Sequence, residues 1–95
     1  MPATAFGHRP SIPYKPIPSG HPVCVAVTFN TIGQIRVDAF GVEIDGFRYR
    51  YNIKSCFLLK ELRGVLVYQC TYEDAGLLKY IRFNFYVADC RWTVA

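Results

Sequence analysis

All six prolines of the chain lie between residues 2 and 22, and none occurs from Val23 to Ala95. Proline fixes φ and removes an amide donor, so it interrupts both helices and central strands. The asymmetry predicts two regions. Residues 1–21 read as a proline-rich arm, extended or disordered, in which polyproline geometry wins over helix or sheet. Residues 22–95 read as a single domain whose strands run without interruption.

That domain is short, and a core of about 70 residues is marginal in stability. Composition offsets this: 52% of residues are hydrophobic and 16% are aromatic, and aromatic rings bury the most area per residue. The apolar content exceeds what one small core needs, so some of it is expected on a surface facing a partner or a second copy.

Hydrophobic periodicity gives the fold class. Val23, Val25, Val27 and Phe29 alternate with Cys24, Ala26 and Thr28, a period-two pattern that marks a strand. Asn30 to Gly33 is a turn in which Gly33 takes a positive φ. Ile35, Val37 and Ala39 alternate with Gln34, Arg36 and Asp38, and Gly41 marks a bulge or bend. Asp45-Gly46 between two alternating runs is a type I′ hairpin signal, because both central residues need φ > 0. Phe47, Tyr49, Tyr51 and Ile53 share a face, which Phe57 and Leu59 continue. Ser55 could instead cap a short helix ending near Gly64, but a strand from Lys54 to Leu59, with Lys60 to Gly64 as a turn, fits the flanks.

Val65 to Tyr72 alternates again, and Glu73 to Gly76 reads as a type I turn with glycine last. Leu77 to Val87 and Cys90 to Val94 supply the remaining strands, with Trp92 directed inward. The fold expected is all-β: a small antiparallel barrel or strongly bent meander of five to seven strands, with the extended proline-rich N-terminal arm before it. Val25, Val27, Ile35, Val37, Tyr49, Ile53, Phe83, Phe85 and Trp92 are its expected core.

The layout Gly33-x-Ile35-x-Val37-x-x-Phe40, Asp45-Gly46-x-x-Tyr49-x-x-x-Ile53, an aromatic strand and a closing Arg91-Trp92 resembles a group of small uncharacterised all-β proteins of clostridia and related bacteria. Val37 stands where that group usually carries proline, and the arm is not part of its pattern. The resemblance implies a compact bacterial β-barrel and no particular activity.

Charge limits the functional classes. The net charge is +4; of eleven basic residues, Arg9 and Lys15 lie in the arm, leaving nine against seven acids, or +2, for the domain. Nucleic-acid-binding domains of this size carry a larger and more clustered excess. Cys24, Cys56, Cys70 and Cys90 include no C-x-x-C pair, and His8 and His21 precede the β-region, so no metal centre or cofactor is expected. No cysteine has a nearby histidine to activate it, and no carboxylate pair or phosphate loop appears. An enzyme is therefore not expected. Without a signal-peptide pattern or an 18-residue apolar run, the reading is a cytoplasmic protein with reduced thiols and no membrane association. Cys56 and Cys70 could meet across a hairpin, though small buried hydrophobes is the preferred reading.

The strongest binding candidate is a basic and aromatic face: Arg36, Arg48, Arg50, Lys54 and Arg82, with Tyr80 and Tyr86 for stacking. Cross-strand pairing of these cations with Asp38, Glu43 or Asp45 explains the same row as a solvated outer surface. Pro10 to Lys15 fits a P-x-x-P-x-basic motif read by SH3-type grooves, but the motif is short and common, and a linker or strap is the preferred reading. The expected function is a non-enzymatic interaction module that self-associates or binds a protein partner. The alternative is a weak single-stranded nucleic-acid-binding β-barrel.

Overall fold

The computed structural model describes residues 17–95, so the arm to residue 16, with its P-x-x-P motif, lies outside the described residues. The remainder is six antiparallel strands in sequence order: β1 Cys24–Phe29, β2 Ile35–Ile44, β3 Phe47–Leu62, β4 Val65–Asp74, β5 Leu77–Tyr86 and β6 Arg91–Val94. Among the described residues there is no helix, and so none long and apolar enough to cross a membrane.

The connections follow from turn chemistry. Gly33 has φ 84°, and Asn30 organises its turn by accepting the Ile32 and Gln34 amides on Oδ1 at 3.0 and 2.9 Å. Asp45 and Gly46, at φ 53° and 82°, form the expected two-residue hairpin between Ile44 and Phe47. The next hairpin differs from expectation. β4 runs on to Asp74, and Ala75-Gly76, at φ 54° and 79°, is a two-residue loop with both residues left-handed. This is the I′ pattern, not type I, and it tightens the turn to match the strand twist. Leu58 and Leu59 lie in β3, so the strand reading of Lys54 to Leu59 holds and the helix reading does not; the strand runs on to Leu62, and the turn expected over Lys60 to Gly64 shortens to Arg63-Gly64.

β3 builds the curvature. Its first half, to Asn52, pairs with β2 and its second half, from Ile53, pairs with β4. Three extra residues bend the sheet: Asp38 in β2, and Lys54 and Leu59 in β3. A bulge adds one unpaired residue and increases local twist. Gly41 is not one of them; it pairs with both Cys24 and Arg50. The Lys54 bulge also changes which residues share a face. Cys56 and Leu58 continue the Ile53 side, while Phe57 turns to the opposite side. The expected shared face of Ile53 and Phe57 is therefore corrected.

The segment before β1 returns to the last strand. Val23 N–H donates to Trp92 O at 3.2 Å, Val94 N–H to His21 O at 2.9 Å and Gly20 N–H to Val94 O at 2.7 Å, and Pro22 bridges Thr93. The sheet thus curls into a half-barrel. Ile17 packs against the core from this segment.

The core joins Val37, Phe40, Val42, Tyr49, Tyr68, Cys70, Tyr72, Ile81, Phe83, Trp92 and Val94. Phe40 anchors it, 5.1 Å from Tyr72 edge-on and 5.2 Å from Phe83, and Trp92 stacks on Phe85 at 4.6 Å. Of the nine expected core residues, Val37, Tyr49, Phe83 and Trp92 are buried. Val25, Val27, Ile35, Ile53 and Phe85 are half-buried and pack against the cluster. Phe40 joins the core because the Asp38 bulge puts it on the same side as Val37.

Candidate interaction surface

The basic and aromatic residues do not converge on one patch. Arg36 Nε donates to Asp38 at 2.7 Å, and Thr28 donates its hydroxyl to the same carboxylate. The Thr28 hydroxyl first, and the Arg36 guanidinium second, hold the Asp38 carboxyl below the usual carboxylate range. Lys54 lies 3.5 Å from Glu73. Arg82 Nε donates to the Gln69 side chain at 2.7 Å. Tyr86 lies beneath the guanidinium of Arg91, 4.3 Å from the ring centre. Tyr80 is exposed, on the same side of β5 as Arg82 and Tyr86. Six residues separate Tyr80 from Tyr86, about 20 Å along a strand. Arg36 and Glu43, which faces Arg48, are seven apart on β2, about 23 Å at the same rise.

Arg48 and Arg50 are neighbouring cations on one strand face, as Tyr80 and Arg82 are neighbours on β5. Arg48 and Arg50 are exposed on the outer face of β3, opposite Glu43 and Gly41. They edge a shallow groove of about 490 Å³ that also touches Pro22, Cys24 and Val42. Gly41 also lines it. A Cβ there would meet Tyr49 O at 3.7 Å and Cys24 Cβ at 3.8 Å, ordinary contact distances.

A second surface is larger and apolar. β2 pairs with β3 only as far as Asn52, so from Lys54 to Leu62 no described strand covers the outer edge of β3. Nine residues at about 3.3 Å each give a free edge of about 30 Å. Phe57, Leu58, Leu59 and Leu62 stand on it with 38–56% of their surface exposed. On the other side of β4, β6 meets β5 only from Phe83 onward, leaving Leu77, Leu78 and Tyr80 exposed as well. The two exposed apolar groups thus lie toward opposite ends of the sheet, Leu58 to Leu62 on the free edge of β3 and Leu77 and Leu78 beside the β4–β5 turn. The surplus of apolar residues in the sequence pointed to such a surface. The Lys54 bulge that places it gives no periodic signal.

A polar cluster lies at the β4–β5 hairpin. Asp74 is 1% exposed and accepts from Tyr51 Oη at 3.1 Å and Lys79 Nζ at 2.8 Å. Its charge adds to burial in pushing the Tyr72 phenol up, with burial the larger cause. The cluster satisfies a buried carboxylate in the way such groups require. Among the described residues no three His, Cys, Asp or Glu side chains are grouped to hold a metal ion. Comparison with protein-family models, curated proteins and solved structures finds no match to this chain.

Proposed function

We propose that the chain is a non-enzymatic interaction module that self-associates, two copies pairing antiparallel along the free edge of β3. The observation that carries this reading is the exposed run Phe57-Leu58-Leu59, with Leu62, on an edge that no described strand covers. Open edges are templates for strand addition, and soluble proteins ordinarily blunt them with charge, proline or short length. This edge has its charges, Lys54, Lys60 and Glu61, at the ends of the apolar run.

The pattern favours a second copy as the occupant. A two-fold alignment centred near Leu58 sets Leu58 against itself and Phe57 against Leu59 twice. It sets Glu61 of one copy opposite Ser55 of the other at both ends. An isologous contact needs this self-complementarity. The single-stranded nucleic-acid reading has weaker support, because Arg36, Lys54 and Arg82 each have a protein partner and the cations are spread over the molecule.

Sedimentation velocity over a concentration series, at low and high salt, tests the reading. Apolar burial is not screened by ions, so the dimer should persist at high salt. Leu58→Lys should dissociate it without altering the far-ultraviolet circular dichroism. A monomer at every concentration, or a Leu58→Lys dimer as tight as the parent, would overturn the proposal. Salt-sensitive oligonucleotide binding by a monomer, lost when Arg48 and Arg50 are replaced together, would transfer the conclusion to nucleic acid.

A further inference from the structure

Cys56 and Cys70 are direct partners across the β3–β4 ladder. Residues directly opposed in an antiparallel pair have Cα atoms about 4.5 or 5.5 Å apart, and disulfides span Cα separations of about 4.4–6.8 Å. Either kind of pair therefore permits a bridge without moving the strands apart. Both thiols are free, Cys56 half-buried and Cys70 fully buried. The bulges at Lys54 and Leu59 flank Cys56 and give β3 local freedom to adjust, since bulged residues make no regular ladder bonds.

The two sulfurs are not equivalent. The Cys70 thiol donates a hydrogen bond to the Cys56 sulfur, and the Val37 backbone amide donates a second. These bonds favour the Cys56 thiolate and lower its pKa, against the opposing effect of burial. The same hydrogen bond, then burial, pushes the Cys70 thiol up. A more acidic, more accessible thiol beside a buried one is the arrangement of an attacking and a resolving cysteine.

From the cross-strand register and the unequal exposure, we infer that Cys56 and Cys70 form a reversible thiol–disulfide site that reacts with low-molecular-weight disulfides. The Cys56 thiolate attacks one sulfur of the small disulfide, forming a mixed disulfide and expelling the first small thiolate. Cys70 then gives up its proton and attacks the Cys56 sulfur, expelling the second. Two protein thiols are oxidised, one small disulfide is reduced to two small thiols, and the released protons go to those thiolates or to solvent. The step is independent of the β3 edge pairing proposed above, because it needs one copy only.

The experiment uses the full chain carrying Cys24→Ser and Cys90→Ser, since both of those cysteines are exposed and would form adducts of their own. The folded protein is incubated with oxidised glutathione, quenched with acid and analysed by intact mass and peptide mapping. The expected product has lost two hydrogens, carries no adduct, and contains a Cys56–Cys70 cross-linked peptide that a dithiol reductant reverses. Adding Cys70→Ser should trap glutathione on Cys56. Adding Cys56→Ser should leave Cys70 unmodified for as long as circular dichroism shows the fold intact. A bridge that forms only in denaturant, or folded protein that stays fully reduced while an exposed model dithiol is oxidised, would overturn the inference. So would glutathione stably retained on Cys56 with Cys70 present.

Discussion

Ala75 carries a conformation that alanine does not favour, and replacing it should stabilise the protein. It has φ 54° in a two-residue hairpin loop between Asp74 and Leu77, followed by Gly76 at φ 79°. The left-handed region costs a residue with a Cβ about 1–2 kcal/mol. Asparagine tolerates it, because its short polar side chain bonds locally to the backbone. Ala75→Asn should therefore raise stability by about 1 kcal/mol, which moves the melting temperature of a domain this size by about 4–8 °C. Ala75→Gly also removes the steric cost, but it gives back about 0.4–1 kcal/mol through the added freedom of the unfolded chain. Its net gain should be the smaller of the two. Ala75→Val should lose stability, since a β-branched residue resists φ > 0 more strongly. Urea titration followed by the fluorescence of Trp92, the single tryptophan, gives the order Asn, Gly, Ala, Val from most to least stable, with one common slope. A valine variant as stable as the parent, or Asn and Gly variants both less stable, would refute the left-handed loop and with it the register Asp74–Leu77.

Three further perturbations test other parts of the structure. Trp92→Ala should cost about 3–5 kcal/mol, because the indole stacks on Phe85 and lies 5.7 Å from Tyr68 and 6.3 Å from Phe83; thermal unfolding followed by far-ultraviolet circular dichroism measures it. Thr93 is buried with its hydroxyl unpartnered among the described residues, so the near-isosteric Thr93→Val should gain about 1 kcal/mol by removing an unsatisfied group in the same assay. Asp38 has a folded-state pKa below its unfolded value, so its contribution is present above about pH 4 and is lost as pH falls through the folded pKa. Asp38→Asn should flatten the acid limb of stability against pH, and an unchanged limb would remove the Thr28–Asp38–Arg36 cluster from the account.

Strand number, turn positions and the inward side of most strands were legible because they rest on local signals. Period-two alternation marks Val65 to Tyr72 whatever its partners, and Asp45-Gly46 states its own turn type. The bulges had no such signal. Asp38, Lys54 and Leu59 are ordinary strand-compatible residues, and their status as extra residues exists only in the pairing with a neighbouring strand. A one-residue shift reverses every later side chain, so missing Lys54 misplaced Phe57, and missing Asp38 hid Phe40 from the expected core. Ala75-Gly76 was misread for a related reason. Alanine is not a left-handed residue by preference, and the tertiary pairing of Asp74 with Leu77 imposes the conformation on it.

The same bulge connects the two proposals physically. An uninterrupted β3 would carry Ile53, Phe57 and Leu59 on one side and leave Cys56 on the opposite side from Cys70. Inserting Lys54 turns Cys56 inward against Cys70 and Phe57 outward onto the uncovered edge. Stability alone gives little reason for this. A buried phenylalanine is worth about 1.5–3 kcal/mol relative to an exposed one, whereas turning a cysteine inward buries far less apolar surface. The local arrangement thus departs from what packing would select, and such departures concentrate where a surface or a reactive group is used. The edge and the thiol pair are then separate consequences of one inserted residue. Phe57 lies on the opposite side of β3 from Cys56, so Phe57→Lys should abolish assembly while leaving the Cys56–Cys70 exchange intact, and Cys70→Ser should do the reverse.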